Sequence, residues 1–147
     1  MRISAKGEYA IKAMLDLAMR QPDGLVSIQA IAARQAIPQR YLEQVLLQLK
    51  RAGLVESKRG ASGGYHLTKA PDEITVGQAL RAVEGATAPF EATRAAGRGA
   101  RGRGDDLAEL WAALAKAVSA VIDHLTFGEL AARAAARRAS ARPMYHI

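Results

Sequence analysis

Between Val55 and Leu67 the chain reads VESKRGASGGYHL. Two short runs of alternating apolar and polar residues flank a turn of glycine, serine and basic side chains, which is the pattern of a β-hairpin. Just before it, Tyr41, Leu42, Val45, Leu46 and Leu49 recur at helical spacing, and Gly53 stands where such a helix should stop. The other face of that helix shows Gln39, Arg40, Glu43, Gln44, Gln48 and Arg51. An amphipathic helix that runs directly into a basic hairpin restricts the fold strongly.

Two further helices precede it. Ser4 suits the cap of the first, whose Ile11, Met14, Leu15 and Ala18 share a face. Gln21-Pro22-Asp23-Gly24 then breaks the chain. Ser27 opens a short second helix with Ile28, Ile31 and Ala32 on one side, and Ala36-Ile37-Pro38 interrupts it. Pro38 suits the first position of the third helix, which runs from about Pro38 to Ala52. Leu54-Val55 begin one strand, and Tyr65-His66-Leu67 form the other. Helix, short helix, turn, helix and hairpin is the order of a winged helix-turn-helix.

Downstream, Thr75-Val76-Gly77-Gln78 fits a capping box, and Gly85 ends the helix it opens. Residues 86–104 interleave Gly97, Gly99, Gly102 and Gly104 with Arg94, Arg98, Arg101 and Arg103, and read as a mobile basic loop. Asp105-Asp106 suit the start of the longest helix. In it Leu107, Trp111, Leu114, Val118, Val121 and Leu125 are spaced 4, 3, 4, 3, 4, a coiled-coil-like seam fit for dimerisation. Thr126-Phe127-Gly128-Glu129 opens a final Ala-rich helix, and Arg133, Arg137, Arg138 and Arg142 make the end basic. The expected fold is mainly α: a winged helix-turn-helix domain over 1–85 with a two-stranded wing and the loop 86–104. The dimerisation helix with the start of the last helix then covers 105–130, and a basic tail covers 131–147.

The formal net charge is +7, which favours a polyanionic partner, nucleic acid ahead of membrane. No apolar run approaches the ~18 residues needed to span a bilayer, and MRISAKGEYA has no signal-peptide character, so a cytoplasmic protein is expected. There are no cysteines, which excludes disulfides and thiolate metal sites. His66, His124 and His146 form no pair with metal-ligand spacing, and no set of nucleophile, base and orienting group is evident, so no enzyme is expected.

Base reading calls for hydrogen-bonding side chains at the N-terminal end of the third helix. Gln39, Arg40 and Glu43 are of the right types for adenine, guanine and cytosine edges. Tyr41 either stacks on a base or packs at the domain surface with its hydroxyl wet. Lys58 and Arg59 project from the hairpin tip, where Gly60, Gly63 and Gly64 allow positive φ and close backbone approach.

The segments MRISAKGEYAIKAMLDLA and SIQAIAARQAIPQRYLEQVLLQLKRAGLVESKRGASGGYHLTKAPDEITVGQALRAVEG resemble the Rrf-two family of bacterial winged-helix regulators, the IscR/NsrR/CymR type. The likeness covers about the first 85 residues closely and extends to Trp111 and Thr126-Phe127-Gly128-Glu129-Leu130. It implies a homodimeric transcription regulator, expected to be a repressor, whose long helix crosses its twofold mate on a palindromic duplex. By resemblance, Gln39, Arg40, Tyr41 and Glu43 would serve the major groove, and Arg59 and Gly60 the wing in the minor groove. Many members hold an iron–sulfur cluster with three cysteines between wing domain and long helix. Here that region is GATAPFEATRAAGRGARGRGDDLAELW, without one, so no cofactor is expected. Glu8, at a place where some relatives use a carboxylate ligand, is read as structural or solvent-facing. The alternative is a regulator or interaction protein whose output runs through a partner protein or small-molecule ligand.

Overall fold

Ser4, Ser27 and Thr75 each stand in extended backbone, and each side chain accepts from the amide three residues on, at Gly7, Ala30 and Gln78. Such an oxygen satisfies an amide that has no partner within its helix. In the computed structural model, which describes residues 3–85 and 106–141, these caps open α1 (Ala5–Arg20), α2 (Ile28–Gln35) and α4 (Val76–Glu84). At α4 the box is complete, since Gln78 accepts in return from the Thr75 amide at 2.9 Å.

The helix before the hairpin is α3 (Gln39–Arg51). Pro38 lies just outside it as the capping residue, not as its first position: its ψ is 126°, and its carbonyl accepts from Tyr41 and Leu42. Proline's fixed φ suits both positions, so the sequence does not separate them. Leu42, Val45, Leu46 and Leu49 join Met14, Leu17 and Ile31 in one core. Tyr41 does not join it and is 46% exposed. One helical step of about 100° carries it to the border of the apolar stripe.

A Schellman motif ends α3. Gly53, at φ 80°, donates to Lys50 and Leu54 donates to Leu49, both at 3.0 Å, while the Leu49 and Leu54 side chains are buried together. The sharp stop turns the chain into β1 (Val55–Lys58), antiparallel to β2 (Gly64–Leu67), with Val55 opposite Leu67 and Lys58 opposite Gly64. Leu54, expected within the strand, precedes it because it completes the helix stop. Val26 pairs with Tyr65 through two backbone hydrogen bonds of 2.9 and 2.8 Å, a third strand position that no sequence pattern announces. Gly64 permits this, since a Cβ there would stand 2.5 Å from the Val26 carbonyl oxygen.

The C-terminal part is α5 (Ala108–Ile122) and α6 (Phe127–Ala141). Asp106 lies in a turn directly ahead of α5, and Leu107 occupies the N-cap without a side-chain cap. The helix begins where the Leu107 carbonyl accepts from Trp111. At 15 residues α5 is shorter than α1 at 16, so it is not the longest helix. The link between α5 and α6 is strapped to the start of α4: Val76 donates to Leu125 at 2.9 Å and Phe127 to Ile74 at 3.0 Å. Phe127 is fully buried in the winged-helix core. The stretch from 131, expected as a basic tail, is helical to Ala141, with Ala134 buried, because its alanines favour helix and let α6 lie on α1. The expected basic loop at 86–104, with Asp105 and Arg142, lies outside the described residues. No helix among the described residues is long and apolar enough to cross a membrane.

Candidate nucleic-acid interface

The buried stripe of α3 determines which of its side chains face outward. At about 100° per residue, Arg40, Gln44, Leu47 and Arg51 stand opposite the stripe, Glu43 is beside them, and Gln39 and Tyr41 flank the two sides. All of these are exposed. Gln48, expected on the same face, is half-buried, and its Oε1 is enclosed by protein. The Arg40 guanidinium lies 5.1 Å from the centre of the Tyr41 ring, with Nη2 3.2 Å from the hydroxyl. This cation–π contact holds both side chains at the first turn of the helix.

Lys58, Arg59 and Gly60 border a cleft of about 420 Å³ together with Ser27 and Gln29 of the α2 start and Lys50 of the α3 end. Lys50 Nζ donates to Ser57 Oγ at 2.7 Å and so ties the last turn of α3 to β1. Three cations surround this concave surface, and no acidic residue lines it. Of the three wing glycines only Gly60 has positive φ, at 118°. A Cβ at Gly63 would run into the Lys58 carbonyl, so that glycine serves close packing of the turn. Gln39, Arg40, Tyr41 and Glu43 do not line this cleft. They occupy the other end of α3, where Tyr41 and Gln44 border a second cleft with Lys6 and Tyr9 of α1.

His66 turns along the hairpin, with Nε2 3.3 Å from Glu56 Oε2 and Nδ1 2.9 Å from the Leu67 carbonyl oxygen. His124 lies in the turn just past the end of α5, with Nδ1 2.7 Å from the Ala120 carbonyl oxygen of its last turn. Glu8 pairs with Lys12 at 3.3 Å on the surface of α1. Leu107, Trp111, Leu114 and Val121 are exposed, Val121 at 61%, and Val118 is half-buried. Leu125 lies past the end of α5 and packs against the core, so the seam within the helix runs from Trp111 to Val121. Among the described residues no three histidine, aspartate or glutamate side chains could hold a metal ion.

Sequence patterns did not single out Lys6, Ser27, Gln29, Leu47 or Lys50 for the interface. Lys50 carried a signal, since it sits on the polar side of the α3 pattern. Ser27 and Gln29 reach the wing only through the pairing of Val26 with Tyr65, which joins segments far apart in the chain.

The Rrf2 family, described as "Iron-dependent Transcriptional regulator", matches residues 3–133. The HTH-type transcriptional regulator IscR of Aliivibrio salmonicida is 41% identical over 132 residues, 88% of this chain and 77% of IscR. The HTH-type transcriptional regulator CymR of Bacillus subtilis is 39% identical over 131 residues, 89% of this chain and 90% of CymR. The solved structure of B. subtilis CymR, described as the global cysteine regulator, has a TM-score of 0.77 at 36% identity and covers 90% of this chain and 98% of its own. These relatives are transcriptional regulators and not enzymes. With its helices, its two-stranded wing and nearly its whole length accounted for by the match, the chain belongs to the Rrf2 family of winged-helix transcription regulators.

Proposed function

We propose that the protein binds duplex DNA as a homodimer, reads a palindromic site and represses transcription from it in the cytoplasm. The observation that carries this reading is the outward side of α3, polar and charged except for Leu47 and opposite a buried stripe, on the same domain as a basic wing. Gln39, Arg40, Tyr41 and Glu43 enter the major groove, where Gln suits adenine, Arg suits guanine or phosphate, and Glu suits the cytosine amino group. Lys58, Arg59 and Gly60 take the wing to the narrow, electronegative minor groove. Two copies of the exposed α5 seam cover each other, and the half-sites lie about one helical turn (~34 Å) apart or somewhat more.

A thiolate-held iron–sulfur cluster, which members of this family often carry, does not fit this chain, because it contains no cysteine. The signal therefore reaches the protein by a small molecule or a partner protein. Selection of bound duplexes from a random pool, followed by titration at several salt concentrations, tests the reading. A twofold-symmetric motif and affinity that falls steeply with salt are expected. Micromolar protein that retains no duplex at moderate ionic strength would refute it.

A further inference from the structure

Leu47 is the aliphatic residue of α3 that the core does not use. Leu42, Val45, Leu46 and Leu49 are at most 1% exposed, whereas Leu47 is 46% exposed. At about 100° per residue, Leu47 falls within about 20° of Arg40 and about 40° of Arg51. It is thus nearly diametrically opposite the buried stripe. An apolar side chain that merely overflows the core would sit at the border of the stripe, as Tyr41 does. Leu47 instead occupies the centre of the outward side, one turn beyond Glu43 and one turn before Arg51.

What such a position can recognise is limited by its chemistry. Leucine has no donor or acceptor, so it cannot distinguish bases by hydrogen bonds. In the major groove one base edge offers an apolar feature, the 5-methyl group of thymine. Removing a methyl contact from water is worth roughly a factor of four in affinity. The four residues from Glu43 to Leu47 advance about 6 Å along the helix, close to two base-pair steps.

We propose that Leu47 is a specificity-determining residue that reads the 5-methyl group of a thymine about two base pairs from the position read by Glu43. The assignment rests on the DNA-reading role proposed for α3. It adds an apolar reader to a set otherwise polar or aromatic.

The test removes one methyl at a time. Sites are selected with the full chain, and each thymine of a half-site is replaced in turn by uracil. Binding of the wild-type chain and of Leu47→Ala is then compared by fluorescence anisotropy. One uracil position should weaken the wild type by about 3- to 10-fold. Leu47→Ala should show that loss already on the thymine site and lose nothing further on uracil. Because Leu47 is exposed and alanine is the stronger helix former, the variant should fold, which circular dichroism verifies. Independent, multiplying effects of uracil and Leu47→Ala at every position would overturn the assignment. So would a variant whose DNA affinity is unchanged, including one that alters only self-association. A wild type that selects a site without any such coupling removes the Leu47 assignment alone; a wild type that selects nothing removes the DNA-reading role with it.

Discussion

Arg34 of α2 grips Asp16 of α1 with both arms of its guanidinium, Nε donating to Oδ1 at 2.9 Å and Nη2 to Oδ2 at 2.8 Å. Gln35 Nε2 adds a third donor to Oδ1 at 3.1 Å. Asp16 is 2% exposed and is the one buried charged residue among those described. The contact pins the two helices on which α3 rests.

Arg34→Ala should strand much of that carboxylate. Breaking a fully buried pair costs about 3–5 kcal/mol. The Arg34 side chain is 34% exposed, so water replaces part of its role and about 2 kcal/mol is expected. Urea unfolding measures it, and Asp16→Ala with Arg34→Ala should be less destabilising than the sum of the two alone. Strict additivity would contradict the coupling. The hydrogen bond to Asp16 raises the Arg34 pKa, burial opposes this, and the charges of Asp16 and Asp23 add to it. A cation with a raised folded pKa contributes stability that is complete below its unfolded value and lost only as pH rises through the folded one. The Arg34 contribution should thus be constant between about pH 6 and pH 9.

Ala36 ends α2 in the left-handed region, at φ 53°. That conformation costs a non-glycine residue about 1–2 kcal/mol, and glycine returns about half of the relief through its freer unfolded state. Ala36→Gly should therefore raise stability by about 0.5–1 kcal/mol. A lower urea midpoint for the variant would contradict the conformation.

At Gly64 the obstacle is backbone and not a flexible side chain: a Cβ would meet the Val26 oxygen and carbonyl carbon at 2.5 and 2.6 Å. Gly64→Ala should push Val26 away from the wing and lose about 2 kcal/mol or more, by strain and two broken backbone bonds. Amide exchange should report faster opening at Val26 and Tyr65. Unchanged protection there would argue against the close approach.

Arg59 and Glu43 should fail differently. Arg59→Ala is expected to weaken binding about equally across sequences and to reduce the salt slope by about one. Glu43→Ala should cost about 1–3 kcal/mol of discrimination at one base pair while non-specific binding persists. A Glu43→Ala variant with the discrimination of the wild type would remove its base-reading role.

Val121, at 61% exposure, can be changed without disturbing the monomer. Val121→Asp should leave the melting temperature of the wing domain nearly unaltered and give a monomer in sedimentation at micromolar concentration. Affinity for a palindrome should fall by 10-fold or more, on the order of the avidity that two linked half-sites confer, while affinity for a single half-site holds. A dimer of undiminished strength would place the interface elsewhere.

Much of the architecture is legible in local patterns of residues. The caps at Ser4, Ser27 and Thr75, the stop at Gly53 and the hairpin all rest on residues within a few positions of one another, so their chemistry is local. The polar side of α3 is legible for the same reason, since a helical period sorts its residues once the apolar stripe is seen. Legibility fails where two readings share one pattern. Leu125 keeps the seam's spacing yet lies beyond the end of α5, because the backbone there is bonded to Val76. The arginines after 131 read as a basic tail, yet Ala134 between them is buried as α6 packs on α1.

The amino-acid order alone determines the caps at Ser4, Ser27 and Thr75 and the stop at Gly53, that a glycine-rich basic hairpin follows the third helix, and that no thiolate chemistry is available. The three-dimensional arrangement alone decides that Asp16 finds Arg34, that Val26 joins the wing, and that Phe127 enters the core. Caps, stops and periodicities act between neighbours and leave their mark in neighbouring residues. Contacts between distant residues form only when the whole core closes and its burial offsets the entropy of ordering the chain.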